Sequence, residues 1–243
     1  MHVKSKQVFS AFDQICGYID CCNSFCLEID LSISQDPDMQ SRMMLPIGQS
    51  LRSLLQHKEF LRLEKILLFL DSPSIAQLNH IRPMNIISLM SSLIMVEDEE
   101  STLDSGLYQY AQTHNKRTFG IETKEEHMAI LDKLSLELEL KQLRSIIHNF
   151  SAFKKTHAKM MDHYINGRID QLYKNGKRSL GSWRKFLLKD RNHKIAQRLA
   201  HLSTSESVFC AIGAGHLAGK HGVLRLLKLA NAKLRPIALD FKL

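Results

Sequence analysis

The sequence predicts an α/β protein: a central mixed sheet flanked by helices, with a large helical insertion. Two observations carry this. Apolar residues recur at helical spacing over most of the 243 residues, and four short stretches carry strand patterning instead. The order strand, helices, strand, long helical stretch, strand, helix, strand is that of an α/β protein with helices in excess.

Residues 5–22 read as a helix, because Val8, Phe9, Phe12, Ile15 and Ile19 share one face. In SFCLEIDLS, apolar Phe25, Leu27, Ile29 and Leu31 alternate with Cys26, Glu28 and Asp30, which predicts a strand over 24–31. Asp36-Pro37-Asp38 and Pro46 mark 34–46 as a loop. From Gln49 to about Glu97 the pattern is helical, punctuated by Ser72-Pro73 and Arg82-Pro83. An acidic loop follows at 97–101, then a helix from Asp104 to Asn115 and a strand at 117–121. Thr123-Lys124-Glu125-Glu126 is a capping box, so a helix starts directly after Glu122. Helical pattern continues through Tyr173 with breaks near Ser135 and Asn166-Gly167. Lys174 to Gly181 reads as a basic loop and Ser182 to Leu202 as a helix. SVFCAIG predicts a buried strand at 207–212, GAGHLAGKHG a glycine-rich turn, Leu224 to Leu229 a helix, and LRPIAL a last strand at 234–239. No repeat and no linker interrupts the chain, so it reads as one domain, 1–243.

Composition excludes several classes. With 44% hydrophobic and 24% charged residues, and only 11 Gly and 5 Pro, the chain is neither collagen-like nor a proline-rich disordered segment. The net charge of +8 comes from basic residues interspersed with acids and accompanied by no binding motif, so no nucleic-acid partner is expected. No stretch approaches the roughly 18 apolar residues of a spanning helix, so no transmembrane segment is expected in this chain. Cys16, Cys21, Cys22 and Cys26 crowd together, but their spacing fits no zinc pattern, and with Cys210 the count is odd. They read as small apolar side chains.

Three places could carry chemistry. Gly213-Ala214-Gly215-His216 follows a strand, where α/β sheets usually bind ligands; the plainer alternative is a tight turn with a solvated His. Its spacing is not that of a dinucleotide or Walker loop. Glu122 ends a strand at a helix start, where an acid either complements the helix dipole or acts on a ligand. Glu28 lies on the polar side of its strand. Arg191-Asn192 sits in a helical charge cluster, usually a solvated face.

Taken in order, four blocks resemble the TraB/GumN family, relatives of the animal Tiki proteins. They are Cys26-Leu27-Glu28-Ile29-Asp30-Leu31; the run from Leu103-Asp104-Ser105 to Phe119-Gly120-Ile121-Glu122-Thr123; Asp190-Arg191-Asn192; and IGAGHLAGKHGVLRLL from Ile212. The family has two G-x-x-H motifs. His216 matches the second. His2 matches the His of the first, whose Gly and preceding strand the sequence lacks, so the chain is expected to be N-terminally truncated relative to the family. It reads as cytoplasmic as given, and as exported or envelope-associated if an upstream signal segment is missing.

The resemblance implies an EreA/ChaN/TraB-like fold with pseudo-symmetric halves. It implies a pocket where His2, Glu28 and His216 hold a divalent metal (Zn, Mn or Co) and Glu122, Arg191 and Asn192 serve catalysis. Tiki relatives are regarded as metal-dependent proteases, which suggests a hydrolase acting on peptides, a glutamate serving as base and Arg191 stabilising the oxyanion. The alternative is a non-catalytic protein that binds a peptide or small-molecule ligand, since the family includes members linked to shutting down a peptide-pheromone response. Distant ChaN-like relatives bind haem iron, for which the histidines here give no specific support.

Overall fold

The structure, a computed structural model, describes residues 4–95, 99–180 and 183–239. The described elements run α1 (Lys6–Phe9), α2 (Phe12–Asp20), β1 (Ser24–Leu27), α3 (Pro37–Arg42), α4 (Leu51–Leu54), α5 (His57–Phe69), α6 (Ile75–Leu78) and α7 (Pro83–Ile94). They continue with α8 (Leu103–Thr113), β2 (Arg117–Gly120), α9 (Lys124–Leu131), α10 (Leu136–His148), α11 (Phe150–Ile165) and α12 (Ile169–Leu180). After a π-helical turn at Lys185–Lys189 come α13 (Asp190–Leu202), β3 (Val208–Ala211) and α14 (Val223–Leu229). Backbone contacts divide the chain into two compact units, one of Met1–Ile33, Glu97–Ile130 and Asp162–Leu243, the other of Ser34–Val96 and Leu131–Met161.

The first unit holds the sheet, in the order β2-β1-β3, with β1 parallel to both neighbours. The expectation of a mixed sheet is not met among the described residues, because all three strands point the same way. All four residues of β1 are buried, where sequence alternation suggested one wet face. A central parallel strand is covered on both sides. Phe25 and Leu27 pack with Cys16 and Ile19 of α2 and Leu107 and Ala111 of α8. Cys26 packs on the other face with Ile195 and Ala196 of α13 and Val223 of α14. Each fully buried large side chain such as Phe25 contributes about 1.5–3 kcal/mol.

Three further expectations are corrected. Residues 234–239 form no strand and are mostly exposed; Pro236 has no N–H to give a ladder, and patterning alone supplies no partner. The stretch from Lys174 continues α12 to Leu180, since Lys and Arg are good helix formers and one Gly costs only about 1 kcal/mol. Residues 37–42 are helical because Asp36 caps the N-terminus by accepting from the Asp38 N–H, with Pro37 preset at the first position.

The second unit is helical. Its core is built from Leu51, Leu63, Leu67, Ile86, Met90 and Leu143, all fully buried. Two buried carboxylates are tied to arginines there. Glu139 accepts from Arg82 and the Met84 N–H; Glu59 accepts from Arg144.

A candidate active site at the carboxyl ends of the strands

Because the strands are parallel, their carboxyl ends lie on one side of the sheet. The register pairs Leu27 with both Gly120 and Ala211, so Glu28, Glu122 and Gly213 all emerge together. The Ile121 and Glu122 N–H groups donate to the carbonyls of Leu27 and Glu28, extending the ladder past β2. Gly120 permits this approach: a Cβ there would stand 2.5 Å from the Asp30 nitrogen. Gly213 donates its N–H to Glu28 Oε1 at 2.7 Å, and a Cβ on it would press to 3.0 Å from the same oxygen.

Arg191 joins the two glutamates. Its Nε donates to Glu122 Oε1 and Oε2 at 2.8 and 3.0 Å, and Nη2 donates at 2.7 Å to both Glu122 Oε2 and Glu28 Oε2. The π-helical turn helps, since it places the Leu187 carbonyl where Nη1 reaches it at 3.3 Å. The side chains of Arg191, Glu122 and Glu28 are 13%, 1% and 24% exposed. Arg191 and Asn192 are therefore not a solvated face. Burial works against the Glu28 charge, but His216, Arg191 and the Gly213 N–H outweigh it and hold the carboxyl well below its ordinary range. Burial also works against the Arg191 charge, and Glu122 and Glu28 more than restore it.

Asn192 sets the histidine. Its Nδ2 donates to the His221 carbonyl at 2.7 Å, which turns Oδ1 toward His216 Nδ1. An amide oxygen only accepts, so Nδ1 carries a proton. Nε2 then faces Glu28 Oε2 at 3.4 Å. A neutral Nε2 would set its lone pair against this oxygen, which also accepts from Arg191 Nη2, so a cation between the two atoms would satisfy the edge.

Glu28, Arg191 and His216 line a cavity of ≈ 640 Å³ with His127 of α9 and an apolar wall that includes Leu103, Leu107 and Leu172. His127 escaped the sequence reading. The available signal was its place in the first turns of a helix that starts beside Glu122. Burial and then Arg191 push its pKa below the ordinary imidazole value, against Glu122 and Glu28.

The implied divalent metal can be tested against these donors. Two ligands of a tetrahedral ion with bonds of about 2.0–2.2 Å lie about 3.4 Å apart, which is the His216 Nε2 to Glu28 Oε2 spacing. The spacing of those two atoms fits, while Glu28 Oε2 already accepts from Arg191 Nη2 and Oε1 from the Gly213 N–H, so a bound ion would share Oε2 with Arg191. Glu122 has both oxygens engaged by Arg191. Among the described residues no three His, Cys, Asp or Glu side chains group to hold a metal, and His2 lies outside the described residues. None of the five cysteines is in a disulfide, and among the described residues no helix is long and apolar enough to cross a membrane.

These features define an α/β protein with a polar pocket at the strand ends, built on two glutamates, an arginine and a histidine. The TraB/PrgY/gumN family model matches residues 1–236, and the chain belongs to this family. No curated protein and no solved structure matches it.

Proposed function

We propose that the chain is a metal-dependent hydrolase acting on peptides, with a divalent ion (Zn, Mn or Co) held by Glu28 and His216. The observation that carries this is the Nε2–Oε2 edge, with the Nε2 lone pair exposed because Asn192 holds the proton on Nδ1. A metal-ligating histidine typically has its other nitrogen fixed in this way. A bound ion supplies a Lewis acid and lowers the pKa of bound water toward about 7.

The rest is positioning. Glu122 holds Arg191, and Asn192 holds His216. Among the described residues, four of the five Arg191 N–H groups are used on Glu122, Glu28 and Leu187. One Nη1 N–H remains, on a residue that lines the cavity, to stabilise a developing oxyanion.

A second reading, a non-catalytic peptide-binding protein, is favoured by the hydrogen bonding of the cluster: Glu28 already accepts from the Gly213 N–H and from Arg191, so its carboxylate is satisfied without a metal. The test is cleavage of a quenched-fluorescent peptide library after chelation and after return of Zn, Mn or Co. The hydrolase reading expects cleavage restored by metal and abolished in His216→Ala. Peptide binding without metal-dependent cleavage selects the second reading.

A further inference from the structure

At and beneath the cavity wall, the charged and amide side chains of the strand-end cluster pair with one another. Glu28 is matched by Gly213 and Arg191, Glu122 by Arg191, and Asn192 by His216 and the His221 carbonyl. His127 stands outside this network. It lines the same cavity, and among the described residues its buried Nδ1 has no hydrogen-bond partner. The great majority of buried side-chain polar atoms have one, so an exception calls for a physical reason.

Packing does not supply the reason. No residue of α9 is fully buried, so the helix is not held by an apolar face to which His127 belongs. It is anchored from the neighbouring position: Glu126 accepts from Lys194 and twice from Arg198, and the Thr123–Glu126 capping box closes its first turn. This fixes where His127 meets the cavity and leaves its Nδ1 without a hydrogen-bond partner among the described residues. The carboxylates Glu28 and Glu122 and the cation Arg191 are the charges it feels, and all three are already paired with one another.

We propose that His127 is a substrate-contacting, specificity-determining residue: its imidazole hydrogen-bonds a peptide amide of the molecule bound in this cavity. An amide offers both a donor and an acceptor, which suits an imidazole that can present either. A site with an unpaired polar group discriminates against ligands that cannot satisfy it. With α9 held in place by Glu126, a partner reaches Nδ1 through a turn of the imidazole ring.

The inference rests on the peptide reading of the cavity, and its test keeps the two separate. Wild type, His127→Phe and His127→Gln are compared, as full chains, in three measurements: KM and kcat on the quenched-fluorescent peptide library, binding of the same peptides by fluorescence anisotropy, and Tm. His127→Phe is expected to weaken binding and raise KM by about tenfold, with Tm unchanged or higher because an unpaired polar atom has been removed. His127→Gln, which keeps a donor and an acceptor, is expected within about threefold of wild type. If the wild type binds peptides without cleaving them, the hydrolase reading fails and the binding arm still decides the role of His127. The proposal is overturned by equal binding and KM in His127→Phe. A joint fall of Tm and binding that Gln does not rescue also overturns it, because that marks a structural role. So does a wild type that neither binds nor cleaves the library.

Discussion

Replacing Arg191 by Met removes the one cation that serves both strand-end carboxylates. Met matches the guanidinium stem in length but donates nothing, so Glu122 loses every contact from Arg191 and, among the described residues, Glu28 keeps the Gly213 N–H and His216. Breaking a buried pair by deleting one partner costs about 3–5 kcal/mol. Glu28 is partly exposed and retains two partners, so the lower half of that range, about 3–4 kcal/mol, is expected at pH 7. For a chain of this size that lowers Tm by about 6–16 °C. The pH dependence has a definite sign. The Glu28 carboxyl is held below its ordinary value of 4.5, so its contribution is full above that pH and is lost as pH falls below it. In the variant Glu28 loses one of the causes that hold it low, so the variant loses less on acidification. Urea titrations followed by circular dichroism at pH 7 and pH 4 should show the gap between wild type and variant narrowing. A gap under about 1 kcal/mol at pH 7 would refute the pairing argument, as would a gap that does not change with pH.

Other outcomes follow from the same structure. Asn192→Ala leaves the buried His216 Nδ1 without its acceptor and should cost about 1–3 kcal/mol in urea titrations, with a changed imidazole tautomer by nitrogen NMR. Gly120→Ala forces a Cβ to 2.5 Å from the Asp30 backbone nitrogen, and should cost more than about 2 kcal/mol, the upper range for ordinary overpacking. Arg198→Met removes the first cause that brings Glu126 down to about 2. Since a lowered carboxyl stabilises above 4.5 and loses that contribution toward 2, the acid limb of the stability curve should flatten between those values, and an unchanged limb would contradict the pairing.

The strand-end cluster was legible as a set of candidate positions because several of its residues sit at places with local signatures. Thr123 and Glu126 announce a helix start, which puts Glu122 at a strand-to-helix junction. Gly213 and His216 follow a strand directly. What joins these points was not legible. The contact of Arg191 with Glu28 spans 163 positions, and nothing near Arg191 in the chain distinguishes a buried fork from a solvated charge. The role of Asn192 depends on a carbonyl, that of His221, which has no side-chain signature at all. His127 was missed for a related reason: a polar residue early in a polar helix reads as solvated until the cavity beside it is seen. In the fold, the error at 234–239 has a simple origin. Alternation describes the faces a strand would have, but the ladder requires a neighbour, and Leu234 and Ile237 are exposed instead.

The most direct test of the Glu28–His216 edge is a calorimetric titration with Zn at pH 7. His193 and His221 form an exposed pair 3.4 Å apart that could capture metal by itself, so both are replaced by Ala in every protein compared; the backbone carbonyl that holds Asn192 is unaffected. The account predicts one Zn per chain in this background, loss of binding in His216→Ala, and a metal-dependent rise in Tm of the parent that the variant lacks. At a hundredfold excess over Kd that rise corresponds to about 2.7 kcal/mol. Equal stoichiometry, affinity and Tm response with and without His216 would contradict it.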